Sequence, residues 1–283
     1  MMIGQHINTT KGFVSSVDHC KTLGLPVMQL FLGSPRTYKK KEKSQADLQA
    51  ILKKSQEHNI KIIVHASYLI NLSQPSDSLV YQNGVKMLTM DVKMANIMNA
   101  DTIVHLGKSL KLSTDDAVKN YIYGIREVIR NTSDCKNKIL IETSAAQGTE
   151  ICSNISELGK LYKQFTSAEQ ERLGICIDTC HVFSAGYDLS TEKTAKEFIA
   201  LFDKEIGMNV VRCIHLNDSV GKLSCHLDRH ADIGVGHITK TSVDGLKYIV
   251  KYAIDKKTIS IILETHGDKI LMADQFKMIK SWV

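Results

Sequence analysis

The sequence predicts an α/β chain folded as a (β/α)8 TIM barrel. Short apolar, β-branched runs recur eight times with helix-length segments between them, and no Pro/Gly-rich linker interrupts the 283 residues, of which 43% are hydrophobic. Strand-helix alternation implies a parallel sheet. Eight repeats in a chain of this length favour a closed barrel over a doubly wound sheet, because the barrel needs that strand number and about 250 residues. One domain spanning residues 1–283 is therefore expected.

The expected strands are 2–7, 27–32, 60–65, 102–106, 138–142, 173–178, 210–216 and 258–264, short runs rich in apolar and β-branched residues. Between them, helical segments are read at 45–58, 78–99, 115–131, 155–165, 191–206 and 241–253, with a last helix at 273–283. Of three prolines, Pro35 and Pro75 fall after strand ends, where loops belong. No apolar run approaches the roughly 20 residues that cross a bilayer, and the N-terminus lacks the charged-then-apolar form of a secretory signal. The seven cysteines form no CxxC pair and are too sparse for a disulfide scaffold, so reduced thiols are expected. Cys176 and Cys213, inside apolar runs, read as small buried hydrophobes. These features describe a soluble, intracellular monomer without membrane partners. The formal charge of +6 is uneven: Arg36-Thr37-Tyr38-Lys39-Lys40-Lys41-Glu42-Lys43 carries five cations in eight residues, which permits a polyanionic partner.

Ionisable residues sit at the ends of six consecutive expected strands: His65, His105, Glu142, Asp178, His215 and Glu264. In a parallel barrel these ends share the face where barrel enzymes keep their active sites. His with Asp and Glu, without convergent thiolates, suits zinc or manganese better than an iron-sulfur cluster or a calcium cage. Three further candidates are His181, three residues after Asp178, and the pair Asp228 and His230, which alternation in an extended loop puts on one side with Arg229 turned away. Nine ligands are too many for one ion and suit three. A cluster of divalent ions in an open pocket can neutralise phosphodiester oxygens and supply hydroxide at neutral pH, which points to phosphate-ester hydrolysis.

The segments His65-Ala66-Ser67-Tyr68-Leu69-Ile70-Asn71-Leu72, Ile141-Glu142-Thr143-Ser144-Ala145-Ala146-Gln147-Gly148, Cys176-Ile177-Asp178-Thr179-Cys180-His181-Val182-Phe183-Ser184-Ala185-Gly186-Tyr187-Asp188, His215-Leu216-Asn217-Asp218-Ser219, Asp228-Arg229-His230 and Leu263-Glu264-Thr265 closely resemble the motifs of the endonuclease IV family of apurinic/apyrimidinic endonucleases. The resemblance runs from the first strand to the last. It implies three zinc ions per chain, with room for manganese at one: His65, His105 and Glu142 on the first; Glu142 bridging to a second held by Asp178, His215 and Glu264; His181, Asp228 and His230 on the third. It also implies cleavage of double-stranded DNA 5′ to an abasic site, leaving a 3′-hydroxyl, with Glu142 as the catalytic carboxylate and 3′-end trimming as a secondary activity. Two loops depart from the family pattern, Leu106-Gly107-Lys108 after His105 and Gly234-Val235-Gly236 after His230.

A phosphodiester inside a stacked duplex cannot reach ions recessed in a barrel mouth, so the sugar must turn outward, at least cost where no base has to be unstacked. Tyr68, Leu69 and Arg36 lie on the metal face and coincide with the family's DNA-contacting positions; Tyr68 and Leu69 suit a wedge, Arg36 a phosphate or stacking contact. Lys39, Lys40, Lys41 and Lys43 would add salt-sensitive backbone grip. His6, in the first strand, fits either the pocket or a supporting role. A divalent-metal sugar isomerase on the same barrel is the competing enzyme reading, but it has no use for the His181, Asp228 and His230 set. A binding-only protein would show a damaged ligand set, and every position here is filled.

Overall fold

The computed structural model describes residues 2–38 and 42–283. Lys39, Lys40 and Lys41, expected to grip the DNA backbone, lie outside the described residues. The strands are β1 (Ile3–His6), β2 (Val27–Phe31), β3 (Lys61–His65), β4 (Asp101–His105), β5 (Ile139–Glu142), β6 (Leu173–Asp178), β7 (Val211–His215), β8 (Asp218–Ser219), β9 (His230–Ala231) and β10 (Ser260–Leu263). The helices are α1 (Phe13–Thr22), α2 (Gln45–Glu57), α3 (Leu79–Ile97), α4 (Thr114–Asn131), α5 (Ile155–Tyr162), α6 (Ser167–Gln170), α7 (Thr179–Ser184), α8 (Glu192–Glu205), α9 (Asp244–Lys256) and α10 (Met272–Lys280). Eight strands close in the order β1-β10-β7-β6-β5-β4-β3-β2, the barrel the sequence predicts, and β8 pairs with β9 as a separate antiparallel ladder.

The backbone divides into two compact units. The first comprises Ile3–Glu142 and Gln164–Gly174 and holds β1 to β5 in parallel register, with Phe31 opposite His65 and His105 opposite Glu142. Its strands are apolar at successive positions: Ile63 and Val64, Ile103 and Val104, Leu140 and Ile141 are all buried. Strands covered on both faces have no solvent side to alternate with, which is why they read as continuous runs. Three serines begin its long helices. The side chains of Ser44, Ser78 and Ser113 accept the N–H of Asp47, Tyr81 and Asp116 at 3.1, 3.2 and 3.1 Å, each cap stabilising by about 1 kcal/mol.

Helix α1 is absent from the periodicity reading. Its buried seam is only Ser16, Val17 and Cys20, too narrow and too polar to register as an amphipathic stripe.

The second unit comprises Met2, Thr143–Lys163 and Ile175–Val283. Here β6 pairs with β7 and β7 with β10, all parallel, and Asp178 stands opposite His215. Cys176 and Cys213 are register partners and fully buried, as expected of small hydrophobes. Helix α9 starts three residues later than the expected 241 because Ser242 turns back on Asp244: the Asp244 N–H donates to Ser242 Oγ at 3.0 Å, and Ser242 Oγ donates to Asp244 Oδ2 at 2.6 Å. Among the described residues, no helix is long and apolar enough to cross a membrane.

Candidate metal centre

In the first unit, three of the expected ligands meet at strand ends. Glu142, closing β5, is 1% exposed, and its Oε2 lies 3.2 Å from both His65 Nε2 and His105 Nε2. His65 Nδ1 donates to the Ala66 carbonyl at 2.8 Å. A carbonyl can only accept, so in the neutral ring Nε2 carries the lone pair and aims it at the carboxylate. His6 does not join the cluster. Its Nδ1 lies 3.1 Å from Gln29 Nε2 and its ring packs on Phe31 at 4.5 Å, while Phe31 stands edge-on to His65 at 5.2 Å. His6 therefore stands one ring away from the expected ligand His65.

The other six ligands belong to the second unit. The two oxygens of Asp178 have different surroundings. Oδ1 caps α7, accepting the N–H of His181, the expected ligand three residues further on, at 2.9 Å. Oδ2 faces His215 Nδ1 at 3.6 Å and His230 Nε2 at 3.5 Å. Glu264, one residue beyond β10 and not its terminal residue, places Oε2 3.2 Å from His215 Nδ1. Asp228 Oδ1 lies 3.2 Å from both His181 Nε2 and His230 Nε2. Arg229 between them is exposed, its guanidinium folded onto the Asp228 carbonyl at 2.6 Å, as alternation predicts. Burial alone would raise the carboxylate pKa values, yet the facing imidazoles, His181 foremost, hold Asp178 and Asp228 below their ordinary range. Burial would likewise lower His230, and the Asp178, Asp228 and Glu264 carboxylates raise it instead.

Sequence reasoning missed the polar frame behind these ligands. Thr143 supplies two contacts: its carbonyl accepts His181 Nδ1 at 2.8 Å and its hydroxyl accepts the Asp178 N–H at 2.9 Å. Gln147 Oε1 accepts the Asp228 N–H at 3.0 Å. Asp218, fully buried at the start of β8, is a carboxylate engaged by hydrogen-bond donors. It accepts the N–H groups of Gly236 and Ile238 at 3.0 and 2.9 Å and the Thr239 hydroxyl, pinning the chain that follows β9. A Cβ at position 236 would come within 2.3 Å of Asp218 Oδ1, so the departing Gly234-Val235-Gly236 loop keeps the glycine that close approach demands. These frame residues lie in or beside the motifs quoted above, and their polar atoms are engaged by backbone or side-chain hydrogen bonds.

The expected DNA-contacting residues cluster in the first unit. Ser67 Oγ donates to the Pro35 carbonyl at 2.7 Å and Tyr38 Oη to the Leu69 carbonyl at 3.4 Å, tying the loop after β2 to the loop after β3. Arg36 is exposed there, and Leu69 is half-buried. Tyr68 is 50% exposed while its ring stands edge-on to His65 and His105, both at 5.6 Å. Lys43 packs its ammonium 4.8 Å from the Phe13 ring.

Both clusters fit a divalent cation. His230 Nε2 is buried and makes no hydrogen bond, although carboxylate oxygens stand 3.2 and 3.5 Å away. His65 and His181 each spend Nδ1 on a carbonyl and turn Nε2 toward a carboxylate oxygen. Lone pair opposed to lone pair at that distance is repulsive unless a proton or a cation lies in line, and a carbonyl partner on the other ring nitrogen is the usual support of a metal-bound histidine. Imidazole with carboxylate is a donor set for zinc or manganese.

A family model described as xylose isomerase-like TIM barrel matches residues 17–281. The chain is 38% identical over 295 residues to the putative endonuclease 4 of Acanthamoeba polyphaga mimivirus, covering 99% of this chain and 93% of that protein. It is 34% identical to the probable endonuclease 4 of Nitrosopumilus maritimus over 272 residues, covering 95% and 94%. The crystal structure of endonuclease IV from Thermus thermophilus superposes with a TM-score of 0.84 at 26% identity, covering 100% of this chain and 98% of that one. With a family model across nearly its whole length and relatives above 30% identity, the chain belongs to the endonuclease IV family of apurinic/apyrimidinic endonucleases.

Proposed function

We propose that this enzyme incises double-stranded DNA 5′ to an abasic site, using three zinc ions held by His65, His105, Glu142, Asp178, His181, His215, Asp228, His230 and Glu264, and leaves a 3′-hydroxyl. The observation that supports it most strongly is the repeated opposition of an imidazole Nε2 and a carboxylate oxygen at 3.2 Å, found in each unit's ligand set. When bound, the ions neutralise phosphate oxygens and make water acidic enough to attack at neutral pH. The chain's own residues do the rest. His65, His105 and Glu142 would hold one ion and Asp178, His215 and Glu264 another, with Glu142 as the catalytic carboxylate that would orient the attacking water. His181, Asp228 and His230 would hold a third, which would stabilise the departing oxygen. Tyr68 and Leu69 fill the space vacated by the missing base, and Arg36 contacts the strand. Trimming of blocked 3′ ends follows from the same chemistry on a different leaving group, and manganese can replace zinc at one position. A sugar isomerase would need two ions and leave the Asp228-Arg229-His230 segment without a task.

The test is a duplex oligonucleotide carrying one tetrahydrofuran abasic analogue. Zinc-loaded protein is expected to nick it once on the 5′ side of the analogue; chelator should abolish the nick and added zinc restore it. No incision by zinc-replete, folded protein would refute the reading.

A further inference from the structure

Asn217 follows β7 and is fully buried in the second unit. Its backbone is locked to α7: the Asn217 N–H donates to Thr179 Oγ1 at 2.9 Å and that hydroxyl donates to the Asn217 carbonyl at 2.6 Å. Its side-chain Oδ1 accepts the Glu264 N–H at 2.9 Å. This contact settles which end of the amide is oxygen, so Nδ2 must face the other way. There it donates to Asp178 Oδ2 at 2.7 Å and to Glu264 Oε2 at 3.3 Å. Those are the two oxygens that face His215 Nδ1 at 3.6 and 3.2 Å.

We propose that Asn217 is a positioning residue for the ion held by Asp178, His215 and Glu264, a role that rests on the metal reading above. A carboxylate oxygen can accept from more than one direction. The amide fills one direction on each oxygen and leaves the other aimed toward the imidazoles. Being neutral, it does so without adding a further negative charge to a buried pair of carboxylates that already repel each other. A water could hydrate one such oxygen but could not tie both to the Glu264 backbone at a fixed separation. The hydrogen bonds of the Asn217 side chain go to Asp178 and Glu264, so its removal should first loosen the ion that these two carboxylates hold with His215.

Zinc-loaded wild type, Asn217→Ala and Asn217→Asp are compared by chelator competition, reading zinc per chain against free chelator, together with the melting temperature of each metal-free protein. Loss of a group that orients metal ligands typically weakens affinity 10- to 100-fold. Asn217→Ala should therefore release one ion at about 10- to 100-fold lower chelator while retaining the others and melting as wild type does without metal. Asn217→Asp preserves shape and the acceptor for the Glu264 N–H but removes the two-pronged donor, so it should release the ion early too. An unchanged release curve in Asn217→Ala, restoration of the wild-type curve by Asp, or early loss only alongside a lowered metal-free melting temperature would overturn the proposal. Wild type that retains no zinc would overturn the metal reading itself, a result distinct from all of these.

Discussion

At the scale of single residues, Glu142 carries the heaviest assignment. It is nearly fully buried with one oxygen 3.2 Å from two imidazoles, so a change of charge there alters little shape. Glu142→Gln should leave melting and binding of abasic duplex close to wild type and lower the single-turnover incision rate by about 10³-fold, the equivalent of about 4 kcal/mol. Near-normal turnover would remove Glu142 from the chemistry. The candidate ligands stand out in the sequence because imidazoles and carboxylates at strand ends are conspicuous among apolar runs. The frame was not. Asn217 has no metal-type signature, and Asp218 looks like a ligand on paper, yet its oxygens are spent on Gly236, Ile238 and Thr239. Only the folded chain shows which buried carboxylate is satisfied by N–H groups and which faces a lone pair.

At the scale of elements, the loop after β3 combines packing with exposure. Tyr68 rests its edge on two expected ligands while half of its surface remains open, and Leu69 is held through its carbonyl by Tyr38. A stacking contact to nucleic acid is worth about 1–3 kcal/mol. The double variant Tyr68→Ala/Leu69→Ala should thus lose about 10- to 100-fold in binding and incision of abasic duplex, with zinc content and melting temperature little changed. Unaltered kinetics, or loss only through unfolding, would reduce both residues to loop packing. The long helices were legible as helix-length segments between the strands; α1 was not, since its seam contains Ser16 and Cys20. The start of α9 was misplaced because a Ser242–Asp244 turn reads like the first helical residues.

At the scale of the whole molecule, eight strands buried on both faces gave the barrel an unmistakable signature, and the closed strand order follows it. Strand ends were legible to within about a residue, as with Glu264 just beyond Leu263, because ladder pairing and the apolar run stop together. Which residues bring the ligands of each unit into line was not legible, since it depends on hydrogen bonds between segments far apart in sequence, such as Asn217 with Glu264. The account stands on nine ligands serving three ions. Elemental analysis of protein purified without chelator tests that most directly: it should find close to three zinc-like ions per chain, with some manganese acceptable in the total, whereas a stoichiometry near one would contradict the trinuclear site.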